Sequence, residues 1–295
     1  MIVVNLKGGL GNQMFQYAAG LSLSLYQSTP FFLDFSQLKN TVETDLYTKR
    51  NFELSVFKIN VNEVSLNDRS TFKNQEAELF YRMKKRFAPA LIRNKVFYEP
   101  DLQFHPGVFN LGKSVYLDGY FQSEKYFQHI KERILSEFTL RDSPGNQNKL
   151  LADEMKSCNS VSLHIRCGDY LKDVNKALFG GVCTHDYYKE AIQYLEKGIT
   201  NPQFYLFSDD HTEALKVLGN KSNVRIVEGN IGDKSYLDMY LMSQCQHHII
   251  ANSSFSWWGA WLNPSPDKIV IAPSKWFADS SILTDDIVPS TWIRI

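Results

Sequence analysis

Ser162-Leu163-His164-Ile165-Arg166-Cys167-Gly168-Asp169-Tyr170 is the stretch whose reading decides the fold. Preceded by Asn159-Ser160-Val161, it reads as a buried strand that runs into a glycine turn. Side chains alternate along a strand, so His164 and Arg166 share one face and Ile165 takes the other. Gly168 allows the turn, and Asp169 follows on the loop. In an open α/β sheet, ligands sit beyond the carboxyl ends of the strands. A histidine, an arginine and an aspartate converging there can hold an anion and a polar ring together. The plainer use of the same residues is a strand-end salt bridge between Arg166 and Asp169.

Outward from this strand the α/β rhythm is regular. A helical pattern around Leu150–Lys156 leads into it. Helical patterns at Tyr187–Lys197, His211–Leu218 and Ser235–Cys245 then alternate with strands at Gln203–Phe207, Val224–Val227 and His248–Ala251. A helix through Phe255, Trp257, Trp258, Ala260 and Leu262 and a strand at Lys268–Ala272 close the series. Three strand ends carry polar clusters: His164/Arg166/Asp169, Ser208/Asp209/Asp210 and Asn252/Ser253/Ser254. Parallel strands would bring all three to one edge. Asn252-Ser253-Ser254-Phe255-Ser256 starts a helix, so its hydroxyls and free N–H groups either receive a phosphate, aided by the helix dipole, or simply cap the helix. The helical spacing of Trp257, Trp258 and Trp261 assigns them to the core. Asp209 and Asp210 are the type of pair that holds a divalent ion against a diphosphate. With Arg166 and a helix N-terminus to neutralise charge, no metal is expected, and a carboxylate here accepts from a base amide or a ribose hydroxyl. His247-His248 lacks the i, i+4 spacing of a helical zinc site.

Toward the N-terminus, Ile2–Leu6 reads as a strand, Lys7–Gln13 as a glycine turn, Met14–Tyr26 as a helix and Pro30–Asp34 as a second strand. Gly9-Leu10-Gly11 supplies two of the three glycines of a dinucleotide fingerprint, and Asp34 falls near the ribose-binding position. This makes a NAD-type oxidoreductase the alternative reading, weakened by Met14 where the third glycine belongs. Val115–Ser123 reads as another strand, followed by a helix through Phe127, Ile130, Ile134, Leu135 and Phe138. The basic run Tyr81–Arg86 reads as a solvated face before it reads as a lipid contact. Arg141–Asn148 is rich in turn residues and marks the boundary between two Rossmann-like domains, 1–145 and 146–295, facing each other across a cleft.

The 295 residues, 43% of them hydrophobic, suffice for two domain cores. A formal net charge of zero leaves no global basic field to recruit nucleic acid or anionic lipid. The four cysteines, Cys158, Cys167, Cys183 and Cys245, lack paired spacing and read as reduced thiols. With neither a signal-peptide pattern nor a membrane-length apolar run, the expectation is a cytoplasmic protein, touching the inner face of a membrane peripherally at most. Nothing in the sequence speaks to oligomeric state.

Four blocks, in order, resemble glycosyltransferase family 11, the α-1,2-fucosyltransferases. They are Gly8-Gly9-Leu10-Gly11-Asn12-Gln13-Met14-Phe15-Gln16-Tyr17-Ala18, then Gly119-Tyr120-Phe121-Gln122-Ser123-Glu124-Lys125-Tyr126-Phe127, then His164-Ile165-Arg166-Cys167-Gly168-Asp169-Tyr170, and Ser253-Ser254-Phe255-Ser256-Trp257-Trp258. Cys167 stands where the family usually has a second arginine; Arg166, which matches the diphosphate-holding arginine of related fucosyltransferases, keeps the charge. The resemblance implies a GT-B fold with an N-terminal acceptor-side domain and a C-terminal donor domain. It implies GDP-fucose as donor, a terminal β-galactose as acceptor, inversion at the fucose anomeric carbon and no required metal or other cofactor. On that basis Arg166, Ser253, Ser254 and the Phe255 N–H are expected to steady the departing phosphate. His164 with Asp209 or Asp210 would orient the nucleoside, and Gly11 would let the chain approach the donor closely. Asn12 is expected to orient the acceptor hydroxyl or the leaving phosphate. Asp169 is the first candidate for the general base, a donor phosphate oxygen the alternative.

Overall fold

The computed structural model describes residues 1–44, 49–73, 95–166, 180–219 and 221–295. The basic run at 81–86 and the stretch 167–170, Asp169 included, lie outside the described residues. The chain divides into two units, Met1–Thr139 and Leu140–Ile295, just ahead of the turn-rich segment at 141–148.

The first unit holds β1 (Ile2–Asn5), α1 (Leu10–Gln27), β2 (Phe31–Asp34), α2 (Ser36–Asn40), α3 (Leu66–Lys73), β3 (Lys95–Tyr98), β4 (Val115–Asp118) and α4 (Lys131–Glu137). Its four strands are parallel, in the order β2-β1-β4-β3. The order reverses between β1 and β4, so their carboxyl ends border a topological switch point. Val3 and Tyr116 pack with Val64 on one face of the sheet. On the other, α1 lies so close that a Cβ on Gly20 would sit 2.3 Å from a Val4 methyl.

Two expectations are corrected in this unit. The glycine turn is shorter than Lys7–Gln13, because α1 begins at Leu10 with Gly9 as its N-cap; Gly11 and Asn12 therefore belong to the first helical turn. Buried Gln13 makes this possible, donating to the carbonyls of Gly8 and Asn51 and accepting from the Glu53 N–H. The strand expected over Val115–Ser123 stops at Asp118 and gives way to a 3₁₀ turn at Glu124–Tyr126, and the helix expected from Phe127 begins as a second 3₁₀ turn, Gln128–Ile130, before α4. The cause is Glu99. Its carboxylate accepts from the Tyr120 N–H at 2.6 Å and from the Phe121 N–H at 3.0 and 3.1 Å, pulling the chain out of the sheet. Phe121 takes φ +53°, a left-handed conformation that costs a bulky residue roughly 1–3 kcal/mol.

The second unit holds α5 (Asn146–Ser157), β5 (Ser160–Ile165), α6 (His185–Gly198), β6 (Gln203–Ser208), α7 (His211–Leu218), β7 (Val224–Ile226), α8 (Tyr236–Gln244), β8 (His247–Ile249), α9 (Ser254–Trp261), β9 (Val270–Ala272) and β10 (Ile293–Arg294). Its six parallel strands run β10-β9-β8-β5-β6-β7. All six residues of β5 are buried, as a central parallel strand requires. Val161, Leu163 and Ile165 pack with α6 and α7, while Tyr205 and Phe207 of β6 face α5 and α8. Helices thus cover both faces, and the order reverses between β5 and β8. The fold is α/β of the GT-B type.

No helix among the described residues is long and apolar enough to cross a membrane. Cys158, Cys183 and Cys245 carry no disulfide.

Candidate functional site

Two of the three expected strand-end clusters meet at the switch point of the second sheet. Arg166 follows the end of β5, and Ser253 follows β8 as the N-cap of α9. The Arg166 Nη1 donates to Ser253 Oγ at 3.4 Å, and the same oxygen accepts from the Phe255 N–H at 3.3 Å. A guanidinium therefore stands at the positive end of a helix, two features that favour the same negatively charged guest. Ser253 is the cap, and Ser254 opens the helix. Asn252 is committed to structure: it donates to the Trp276 carbonyl and accepts from Cys183 Sγ.

His164 lies on the Arg166 face of β5, as its position in the strand predicts. It is buried, its ring centroid is 6.2 Å from that of Phe255, and its Nδ1 lacks a hydrogen-bond partner. Burial, reinforced by the Arg166 charge and partly countered by Asp209, depresses its pKa from 6.5 to about 4. The imidazole is neutral at physiological pH, with an unsatisfied polar atom that suits a hydrogen bond to a ligand. Beneath it, Ser162 Oγ pairs with His248 Nδ1 at 2.8 Å, while His248 Nε2 meets Asn263 Nδ2 at 2.9 Å. An amide nitrogen only donates, so His248 Nε2 accepts and its proton sits on Nδ1. His248 is a core group.

From β6, Asp209 reaches His164 electrostatically, whereas Asp210 caps α7, accepting from the Glu213 N–H at 3.1 Å. The pair is therefore split between the site and a helix cap. No group of three or more His, Cys, Asp or Glu side chains among the described residues could hold a metal ion. Sequence reading missed Asp238, whose carboxyl burial pushes up to about 6 while Asn230 hydrogen-bonds it at 2.9 Å. Its only sequence signal is an acidic residue in an otherwise apolar helix.

The histidine gives a stability prediction. In the unfolded chain His164 would protonate near pH 6.5, in the folded chain only near 4. Unfolding therefore takes up a proton between those values, and folded stability falls as pH drops through that window. The loss reaches ~3 kcal/mol by pH 4. Since all five tryptophans lie in the second unit, urea unfolding followed by tryptophan fluorescence reads that unit. Wild type should lose about 3 kcal/mol more than His164→Asn between pH 7.5 and 4. Equal losses would show that His164 titrates normally.

The first unit's switch point is built differently. Lys7, just beyond β1, bridges to Asp118 at the end of β4 (Nζ–Oδ1 2.9 Å) and lies 4.8 Å from the Tyr120 ring centroid. Asn12 Oδ1 accepts from Gln122 Nε2 at 2.7 Å. A Cβ on Gly8 would come within 2.5 Å of Asn12 Nδ2. Buried Gln16 holds both backbone groups of Lys7. The N-terminus of α1 receives an internal carboxylate, since the Leu10 N–H donates to Glu53 Oε2 at 2.9 Å. The Leu10 N–H at that helix end is therefore already satisfied from within the fold. Asp34 is not a ribose ligand: it is buried, accepting from Tyr116 OH and the Ser36 N–H, with the Arg69 guanidinium ion-paired to it at 3.1 Å. Both supports of the NAD-type oxidoreductase reading fall with these contacts.

Residues 1–295 match the family model described as Glycosyl transferase family 11. An alpha-1,2-colitosyltransferase of Escherichia coli is 37% identical over 305 residues, covering 100% of this chain and 99% of that protein. The O-antigen biosynthesis glycosyltransferase WbnK of Escherichia coli is 35% identical over 314 residues, covering 98% and 99%. Among solved structures, NodZ alpha-1,6-fucosyltransferase soaked with GDP-fucose aligns over 89% of this chain and 92% of its own, with a TM-score of 0.51 at 16% identity, a likeness of fold. A match along the whole chain, with two relatives above 30% identity over nearly their full lengths, places this protein in glycosyl transferase family 11.

Proposed function

We propose that the protein transfers L-fucose from GDP-fucose to the 2-hydroxyl of a terminal β-galactose, with inversion at the anomeric carbon. The observation that carries the reading is the Arg166 guanidinium against the N-cap of α9, beside the neutral, unsatisfied imidazole of His164. That grouping suits a diphosphate joined to a polar base. The solved fucosyltransferase soaked with GDP-fucose shares the fold, which supports a GDP-linked donor. A second donor, GDP-colitose, is favoured by the 37% identical colitosyltransferase. Colitose is fucose without its 3-hydroxyl, so the two donors carry the same diphosphate and 6-methyl group.

In the reaction, the acceptor oxygen attacks the anomeric carbon as the bond to the β-phosphate breaks. The electron pair leaves with GDP. Arg166, Ser253 and the amides of Ser254 and Phe255 meet the growing phosphate charge, which is where fixed donors act most strongly. Positive charge from these groups serves the leaving phosphate without a metal in this reading. His164 and Asp209 orient the nucleoside, and Asn12 the acceptor hydroxyl. The hydroxyl proton passes to a base, for which Asp169 is the candidate by sequence. The first unit takes the acceptor and the second the donor.

Thermal shift tests the donor side: a ligand at 100 times its dissociation constant adds ~2.7 kcal/mol of stability. GDP should stabilise the protein, with or without EDTA, and UDP should not. Radiometric transfer to a β-galactoside, comparing GDP-fucose with GDP-colitose, then ranks the donors. If colitose is transferred at a kcat/KM tenfold or more above fucose, the second reading replaces the first. If neither sugar is transferred and GDP gives no shift, both fail.

A further inference from the structure

We propose that Tyr187 and Tyr188, in the first turn of α6, are positioning residues for departure of the diphosphate. Their hydroxyls replace missing rungs of the second sheet at its switch point, and so fix the backbone that carries His164, Arg166 and Ser253. This rests on the transferase reading above and adds to it residues that act through the strands.

A crevice opens at a switch point because neighbouring strands part there, and parting leaves peptide groups without ladder partners. In β5 the Ser160 carbonyl accepts from the Gln246 N–H, so the even-numbered peptides of this strand face β8. Pairing of β5 with β8 ends at Leu163 and Ile249. The His164 carbonyl is the next to face β8, beyond the last pair, and Tyr188 OH donates to it at 3.2 Å. On its other side β8 loses a rung for a covalent reason. The His248 and Ile250 N–H groups donate to the Ile269 and Ile271 carbonyls, each at 2.9 Å. The next rung requires an N–H from residue 273 to reach the Ile250 carbonyl, and residue 273 is proline, which has none. Tyr187 OH takes that carbonyl at 2.6 Å, with the Ile271 carbonyl a weaker second acceptor at 3.3 Å. Tyr187 and Ile250 are both buried. Burial holds the phenol well above its ordinary pKa, so it donates at every working pH.

The same end of α6 makes a third attachment. Cys183, just ahead of the N-cap Thr184, donates from Sγ to Asn252 Oδ1 at 3.4 Å. His164 lies two residues before Arg166, and Ile250 three before Ser253. Both sides of the Arg166–Ser253 contact are therefore tied to one helix. The braces also explain how the strands part without leaving buried carbonyls unpaired. A buried carbonyl without a partner is costly, so loss of either hydroxyl moves the strand end toward another donor. Arg166 and the α9 cap act on charge that grows as the phosphate leaves, and such action depends steeply on distance. A displacement of about 1 Å costs ~100-fold in rate, and a partial one correspondingly less.

The test is a rescue. Pro273→Ala restores an N–H at the missing rung and makes the Tyr187 hydroxyl redundant. Wild type, Tyr187→Phe, Pro273→Ala and the double variant are compared well below their unfolding temperatures, by radiometric fucose transfer and by calorimetric GDP binding. Tyr187→Phe should lower kcat roughly tenfold, keep the donor KM within about threefold of wild type, and weaken GDP about threefold. Pro273→Ala should match wild type, and the double variant should match Pro273→Ala. Tyr188→Phe should lower kcat to a similar degree but gain nothing from Pro273→Ala, because its acceptor is the His164 carbonyl. A merely structural hydroxyl would lower stability to urea and leave kcat and GDP affinity unchanged. That result in Tyr187→Phe, or a loss that persists undiminished in the double variant, overturns the proposal. Should Tyr187→Phe alone fail to fold, the double variant measured against Pro273→Ala decides the question. If wild type binds GDP but transfers no sugar, the transferase reading fails, and the GDP affinities of the same proteins still judge the brace. If wild type binds no GDP, both fail.

Discussion

Arg166→Ala is expected to lower kcat/KM about a thousandfold, ~4 kcal/mol of transition-state stabilisation. The guanidinium sits against Ser253 Oγ at the end of a helix, where it would act on charge that grows only as the phosphate departs. Such groups contribute more to turnover than to ground-state binding, so kcat should fall by more than GDP affinity. Arg166→Lys keeps a point charge but loses the fork that reaches Ser253 and two phosphate oxygens together, and it should recover part of the loss. The substitution also removes one of the two influences that depress His164, whose pKa should rise in the alanine variant. NMR titration of the imidazole would register that rise even if activity were undetectable. Turnover within tenfold of wild type would remove Arg166 from the mechanism.

Arg166, His164 and the α9 cap were legible in the sequence because polar residues at the ends of apolar strands have few structural reasons to cluster. Period and parallel order alone placed His164 and Arg166 on one face. The diphosphate and the guanine were not legible that way; they came with the family blocks. The less readable features depend on contacts between distant residues. Glu99 clamps Tyr120 and Phe121 from 21 and 22 residues away, and no local pattern announces a left-handed phenylalanine. Gly11 looked like part of a turn because glycine usually marks one, yet Gln13 and Gln16 tie the turn down so tightly that the helix starts at Leu10. Two glutamines in an apolar helix were the visible signal. β10, of two residues, is too short for alternation to register.

The three tryptophans after the cap behaved as their spacing required, and Trp257 carries the largest stability prediction. It is fully buried, lies within 6.1 Å of the rings of Trp258, Trp261 and Trp292, and donates from Nε1 to the Ile287 carbonyl at 2.8 Å. Trp257→Ala removes about 3–5 kcal/mol through lost burial and the cavity left behind. It also orphans the Ile287 carbonyl, a further ~1–3 kcal/mol. A loss of about 5 kcal/mol rivals the whole stability of many domains, so the second unit should be largely unfolded near 37 °C. Trp257→Phe keeps most of the ring contacts and forfeits the hydrogen bond, and should cost about 2 kcal/mol. Urea unfolding followed by the four remaining tryptophans, all in the same unit, would separate the two variants. Trp257 belongs to the first turn of α9, whose cap residue Ser253 meets Arg166. The phenylalanine variant should therefore fold and bind GDP, while the alanine variant should regain structure only at GDP concentrations far above its dissociation constant. An alanine variant as stable as wild type would mean that this aromatic cluster does not hold α9 in place.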